Sequence, residues 1–228
     1  MSRCIVSLGT GGWFVRGVDR LEASLRAVRW PGAFMGWRGT YPPGSPMQEV
    51  VDHGFKAWCV KAAQDAGHDV VMWCDASVWA VADPSPIFEH AERTGFYVTY
   101  NGIVVGQYSS DRSLGIFGVT RDEAMRIPDI ASGFVCLDLR QPAPRRFLDE
   151  WLRYTRVEGG AAYNGADSNA DGSVSADPRV RGHRHDQTVA SLILWQMGYR
   201  DGIRFGDSLI NSDEPPPGAG KVLAYRGM

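Results

Sequence analysis

Lysine is nearly missing from this chain. Of its 24 basic residues only Lys56, Lys61 and Lys221 are lysines, and the other 21 are arginines. Arginine suits fixed contacts to phosphate and carboxylate better than lysine does, although a coding bias accounts equally well for a surplus spread along the whole chain. An excess of one charge is also lacking. The 24 basic residues face 26 acidic ones, the net charge is −2 and the isoelectric point lies near 6.2. That balance argues against bulk binding to nucleic acid or to an anionic membrane. No apolar run approaches the roughly 20 residues of a membrane span, and residues 1–9 hold too few apolar side chains for a signal peptide. Cysteines are few, at Cys4, Cys59, Cys74 and Cys136. None forms a C-x-x-C pair, which argues against zinc ribbons and thioredoxin-like redox sites. All four sit in apolar or strand-like runs, where buried free thiols belong, and a reducing, cytoplasmic location is expected.

Several catalytic signatures are absent as well. There is no G-x-x-x-x-G-K-[ST], no G-x-S-x-G and no H-E-x-x-H. Gly9-Thr10-Gly11-Gly12 opens like a phosphate-binding turn, because glycines let backbone N–H groups approach an anion. The third glycine of a dinucleotide fingerprint is replaced by Phe14, so a nicotinamide or P-loop cofactor is disfavoured.

What is present is core. The chain has 228 residues and is 44% apolar, enough to fold as a single α/β domain over residues 1–228. Residues 3–8 and 70–74 read as buried strands, and 33–37 and 133–139 as two more. The spacing predicts helices over 18–28, 48–66, 86–93, 145–156 and 186–197. Asn101-Gly102 predicts a hairpin between strands 96–100 and 103–107. Alternation of strand and helix implies a mostly parallel central sheet with flanking helices. Residues 158–182 hold almost no bulky apolar side chain and are expected to form a flexible loop or lid. The Pro- and Gly-rich tail after Phe205 is expected to wrap the surface.

Four constellations could carry chemistry. Asp75 ends the apolar run Val70–Cys74, and in open α/β sheets ligands bind at the carboxyl ends of strands. A carboxylate there suits a hard cation, and Ser77, two residues on, faces the same side of an extended segment. The same Asp could instead cap the next turn. His183, His185, Asp186 and Gln187 cluster where the loop meets a helix, a fair position for a site; equally, Asp186 could be an ordinary N-cap. Asp167, Asn169, Asp171 and Ser173 match the first positions of a calcium loop, but Pro178 stands where its twelfth-position Glu belongs, and such residues also fill any solvated loop. His53, His68 and His90 read as surface or capping residues.

Taken in order, these pieces resemble the GT-A fold glycosyltransferases that use nucleotide-diphosphate sugars. The resemblance rests on a first strand ending in Gly9-Thr10-Gly11 and on a helix with Phe55-Lys56 leading to Trp73-Cys74-Asp75-Ala76-Ser77. It continues in Ser132-Gly133-Phe134, similar to the N-A-G-[VF] strand, and in Asp186-Gln187, similar to the D-Q-D segment of the retaining, glycogenin-like branch. It implies donor contacts from Gly9, Thr10, Gly11, Lys56, Asp75, Ser77 and Gly133, and catalytic roles for Asp186 and Gln187. It also implies Mn²⁺ or Mg²⁺ held by Asp75 and Ser77, with His183 or His185 completing the shell, while Ca²⁺ would belong to the 167–173 loop. Three departures stand out: Ser77 replaces the second Asp of D-x-D, Ala131-Ser132 replaces Asn-Ala, and no histidine follows Asp207. The acceptor stays open among glycan, protein, lipid-linked intermediate and modified nucleic-acid base, and the oligomeric state is not legible. Two further readings share the pattern: a non-catalytic GT-A-like binder of a nucleotide sugar, glycan or calcium, and a metal-dependent nucleotidyltransferase.

Overall fold

The computed structural model describes residues 1–198, 203–204, 209–212 and 220–225. Along them run β1 (Arg3–Gly9), α1 (Gly12–Ala27), β2 (Ala33–Arg38), α2 (Phe55–Asp65), β3 (Val70–Cys74), β4 (Val78–Ala80), α3 (Ser85–Thr94) and β5 (Phe96–Val104). There follow α4 (Asp111–Phe117), α5 (Arg121–Ala124), β6 (Pro128–Ile130), β7 (Phe134–Asp138), α6 (Pro142–Tyr154), α7 (His185–Gln196), β8 (Ile203–Arg204), β9 (Ile210–Ser212) and β10 (Leu223–Tyr225).

The central sheet has the order β2-β1-β3-β7-β5-β6, with β8 paired to β5. β1 pairs parallel with β2 and β3, whereas β7 pairs antiparallel with β3 and β5. β6 is antiparallel and β8 parallel to β5. So β1, β2, β3, β5 and β8 share one direction, and β6 and β7 oppose it. β3 and β7 are buried along their whole length, as an unbroken apolar run in the middle of a covered sheet must be. A smaller sheet, β4-β10-β9, holds part of the C-terminal segment; Leu223 and Ala224 are fully buried there. The tail thus contributes core where it is described, while 205–208, 213–219 and 226–228 lie outside the described residues. No helix among the described residues is long and apolar enough to cross a membrane.

Two sequence expectations need correction. The helix expected over 48–66 starts only at Phe55, because His53 sits in the left-handed region at φ 58°. Gln48 Oε1 accepts from His53 N–H at 2.9 Å, so residues 48–54 are tied into turns. Asn101-Gly102 makes no hairpin. β5 runs straight through it, with a shift of register against β6 between Tyr100 and Val104. Gly102 takes φ 88° and the Asn101 side chain accepts from Ile103 N–H, so the turn signal produces a bulge. The 158–182 segment is irregular but carries its own packing. Ala162 and Tyr163 are fully buried and Val174 and Val180 nearly so. Tyr163 Oη donates to Trp151 O at 2.7 Å.

Candidate functional site

β1 and β3 are parallel neighbours, so their carboxyl ends open on the same edge of the sheet. Between them lies a pocket of about 180 Å³, walled by Thr10, Phe14, His53, Lys56, Asp75 and Ser77 among others. α1 starts at this edge. It can lie close because Gly17 has no side chain: a Cβ there would stand 2.1 Å from Ala76 O. Gly9 is required for the same reason, its Cβ position lying 2.5 Å from the backbone of Phe14. Arg20, three residues along α1, donates to Ser77 O at 2.8 Å and fixes the 76–77 segment.

The centre of the pocket is a lysine ammonium out of water. Lys56 Nζ lies 2.8 Å from Asp75 Oδ1 and 3.1 Å from Asp186 Oδ2, and the side chains of Lys56 and Asp186 are each only 4% exposed. Lys56 also donates to Ser132 O at 3.4 Å and stands 5.5 Å from the centre of the Trp73 ring. Burial alone would push the ammonium pKa down; the carboxylates of Asp186 and Asp75 outweigh it and hold it above the ordinary value. Asp186 Oδ2 accepts no well-aligned hydrogen bond, so its contact with Lys56 is an ion pair rather than a directed bond. Trp73 Nε1–H donates to Asp75 Oδ1 at 2.8 Å. Asp75 N–H bonds to Gly133 O at 2.8 Å, and Asp75 Oδ2 lies 3.3 Å from where a Cβ of residue 133 would be. Gly133 thus leaves that oxygen its space.

The structure therefore brings together Thr10, Lys56, Asp75, Ser77, Gly133 and Asp186. Asp186 is not the helix cap: α7 begins at His185, with Arg184 in the cap position and no side-chain cap bond. Gln187 does not line the pocket; its amide donates to Asp129 Oδ2 at 2.5 Å.

The two histidines part ways. His183 is fully buried. Its Nδ1 accepts from Ser110 N–H at 3.2 Å, so Nε2 carries the proton and donates to Ala162 O at 3.2 Å. Burial first, and His185 second, push its pKa down to about 3. Both nitrogens are spent on backbone, so His183 offers nothing to a metal, and that expectation is withdrawn. His185 stands at φ 45° with Nδ1 3.0 Å from Tyr163 O and Nε2 2.8 Å from Asp167 Oδ1. It clamps the 163–167 segment and points neither nitrogen at Asp75. His53, expected as a surface or capping residue, is a pocket wall with its ring 5.5 Å from that of His185. Burial and the Lys56 charge lower its pKa. No sequence signal marked His53 or Trp73; only the neighbouring Lys56 and Asp75 could have.

The 167–173 residues do not converge as calcium ligands. Asn169 uses its side chain on Val174 N–H, Ser175 N–H, Ser175 O and Val180 O. Asp171 accepts from Ser173 N–H and Oγ–H, and Asp167 turns to His185. Among the described residues no group of three or more His, Cys, Asp or Glu converges on one point. For Mn²⁺ or Mg²⁺ the fit is a minimal one. Asp75, whose Oδ2 is kept clear by Gly133, and Ser77 both line the pocket and are the residues that would offer oxygens to such an ion. An ion of this kind is often bound by one or two carboxylates with substrate phosphates completing the shell.

No protein-family model and no curated protein matches the chain. Among solved structures, a glycosyltransferase involved in the glycosylation of the major capsid of PBCV-1 is similar over 99% of this chain and 93% of its own, at 12% identity and a TM-score of 0.54. The fold is that of a GT-A-like glycosyltransferase. Two more distant similarities are to the bifunctional glycosyltransferase WbbM and to mouse xyloside xylosyltransferase 1. The first covers 92% of this chain and 39% of WbbM, at 9% identity and a TM-score of 0.47. The second covers 92% and 86%, at 12% identity and a TM-score of 0.46. In this GT-A-like chain the pocket occupies the carboxyl-end edge, where a ligand crevice of an α/β sheet forms.

Proposed function

We propose that the protein is a glycosyltransferase that takes a sugar from a nucleotide-diphosphate sugar and passes it to an acceptor hydroxyl or comparable nucleophile. The observation that carries this reading is the Lys56 ammonium buried between Asp75 and Asp186 on a GT-A-like sheet. A binding surface has no need to hold an ammonium and a carboxylate, Lys56 and Asp186, out of water beneath a half-buried Asp75, since such burial is costly unless each charge is paired.

In the reaction the bond from the anomeric carbon to the diphosphate oxygen breaks, and the nucleoside diphosphate leaves with the electron pair. The acceptor atom bonds to the anomeric carbon and releases its proton to solvent. Catalysis of such a step is mostly electrostatic. The start of α1, which has no acidic side chain in its first turn, supplies positive potential toward the diphosphate, while Lys56 offsets part of the negative charge of Asp75 and Asp186. Asp186, fixed by Lys56, accepts a hydrogen bond from a sugar hydroxyl and favours positive charge developing at the anomeric carbon. Thr10 and Ser77, which also line the pocket, add hydroxyl-bearing side chains. A divalent ion shared by Asp75, Ser77 and the diphosphate would add charge neutralisation at the leaving group.

Product analysis tests the reading against its rivals. Incubation with a panel of nucleotide sugars and acceptors, with and without Mn²⁺, is expected to release free nucleoside diphosphate. Pyrophosphate would mark nucleotidyl transfer instead. Saturable binding with neither product would mark a binder and end the transferase reading.

A further inference from the structure

The scheme above gives the acceptor's proton no recipient in the pocket. Three histidine rings follow one another at 5.5 and 5.3 Å, His53 to His185 to His183. Two of them have committed their nitrogens: His183 bonds to backbone through both, and His185 lies against Tyr163 O and Asp167. His53 is the exception. It lines the pocket and is half-buried. Its hydrogen bonds are made by backbone alone, N–H donating to Gln48 Oε1 at 2.9 Å and O accepting from Lys56 N–H at 3.2 Å. Among the described residues neither ring nitrogen has a hydrogen-bond partner, and neither belongs to the fully buried polar atoms left without one, so each is open to solvent. The His53 backbone stands at φ 58°, a conformation that a residue other than glycine adopts at a cost and keeps where its surroundings fix it. Gln48, another wall of the pocket, and Lys56 do that fixing.

We propose that His53 is a catalytic residue, the general base that takes the acceptor's proton as the acceptor attacks the anomeric carbon. This deepens, and rests on, the sugar-transfer reading. The acceptor's lone pair forms the new bond, the bond to the diphosphate oxygen breaks with its pair going to the leaving group, and the acceptor's proton moves to a ring nitrogen of His53. The imidazolium then returns that proton to solvent. Burial first, and the Lys56 charge second, hold the imidazole pKa below its ordinary value, while the carboxylates of Asp186 and Asp75 pull the other way and His185 adds to the lowering. Asp52, the preceding residue, faces His185 Nδ1 at 3.4 Å. At neutral pH the ring is therefore uncharged and able to accept a proton. Once it has done so, Asp186 and Asp75 offset the new charge.

The test compares His53→Asn and His53→Gly, chosen because both residues tolerate the left-handed backbone. The assay follows nucleoside diphosphate released from the nucleotide sugar that the product panel selects, with water or the panel's acceptor as nucleophile. Asn is polar but no base, so kcat falls on the order of 100-fold, the lower end of what a positioned base supplies, with KM for the donor changed less than about threefold. The wild-type kcat falls on the acid side of about pH 6.5, and that limb is flattened in the Asn variant. Gly leaves the space of the ring empty, and added imidazole restores much of its lost turnover. An Asn variant with near-normal kcat, a loss confined to the donor KM, or a Gly variant that binds donor but ignores imidazole would overturn the proposal. A readout independent of activity uses diethylpyrocarbonate, which acylates an uncharged imidazole nitrogen free of hydrogen bonds. In the ligand-free protein, mass spectrometry is expected to find His53 modified ahead of His183, and a His53 that stays unmodified would overturn the proposal. If His53 reacts as expected while the wild type releases no nucleoside diphosphate from any donor, the sugar-transfer reading itself falls.

Discussion

A lysine ammonium away from water is held there by charge. Lys56→Met removes the only cation between Asp75 and Asp186 that the described contacts show, leaving a buried carboxylate uncompensated. Breaking such a pair costs about 3 kcal/mol, so Tm is expected to fall by several degrees while donor binding and transfer are lost. Calorimetry and a transfer assay check this, and a variant with normal turnover would remove Lys56 from the site. Asp186→Asn is a sharper case, because Asp186 caps nothing. Turnover is expected to fall on the order of 100-fold, the scale of a lost electrostatic partner, with only a small drop in Tm. His183 supplies a pH dependence. Its folded pKa, about 3, lies below the ordinary imidazole value, so below about pH 6.5 the unfolded chain binds a proton that the folded one refuses. Stability therefore decreases as pH falls from about 6.5 toward 3, by up to about 1.4 kcal/mol per pH unit. His183→Gln, which can accept from Ser110 and donate to Ala162, is expected to flatten that part of a Tm-against-pH curve. At this scale Asp75 and Asp186 stood out by their places at a strand end and a helix start, Lys56 only through the family resemblance, and the structure puts the three side chains in contact. His183 did not, because two histidines two positions apart look alike in sequence, and only the packing of Ala162 and Ser110 around one of them sets it apart.

Elements were legible wherever the hydrophobic pattern was continuous. β3 matches its expectation residue for residue, and α7 differs by one residue at each end. Errors arose where one residue overrides a pattern. Left-handed His53 stops a helix that the apolar spacing extends back to residue 48, and Gly102 bends a strand that its dipeptide would reverse. In the 158–182 segment, order rests on one side chain more than on composition. Asn169 makes four hydrogen bonds that close the loop on itself. Asn169→Ala is expected to cost about 1–3 kcal/mol locally and to make this segment the first site of limited proteolysis. Cleavage elsewhere first, at an unchanged rate, would show that other contacts hold the loop. If the segment also serves as a lid, saturating nucleotide sugar slows its cleavage in the wild type.

For the whole molecule the sequence disclosed the class, strand after helix after strand, but not the reversed direction of β6 and β7. Pairing direction depends on how connections cross the sheet, and short apolar strands read the same both ways. The small sheet of β4, β9 and β10 was invisible for a similar reason: three-residue strands carry too little periodicity to register. A ligand that binds only the folded protein stabilises it by about 2.7 kcal/mol at 100 times its Kd. A thermal-shift panel of nucleotides and nucleotide sugars should therefore single out the donor nucleoside, with a larger shift when Mn²⁺ is added. A shift indifferent to Mn²⁺ would mean that Asp75 and Ser77 hold no ion.

The four cysteines are all free and buried, and burial raises each thiol pKa, that of Cys4 to about 12. Thiolate is the form that reacts, so the native protein is expected to resist alkylation. Cys4, Cys74 and Cys136 lie on three neighbouring central strands, β1, β3 and β7, and Cys59 lies on α2. The chain thus carries its own set of chemical clocks. Modification at each position, followed by mass spectrometry, reports how often that part of the sheet or its covering helix opens, with no probe to be engineered. Agreement among the strand cysteines would mean that the sheet opens as one unit, and an early signal from Cys59 would mean that α2, and Lys56 with it, lifts away first.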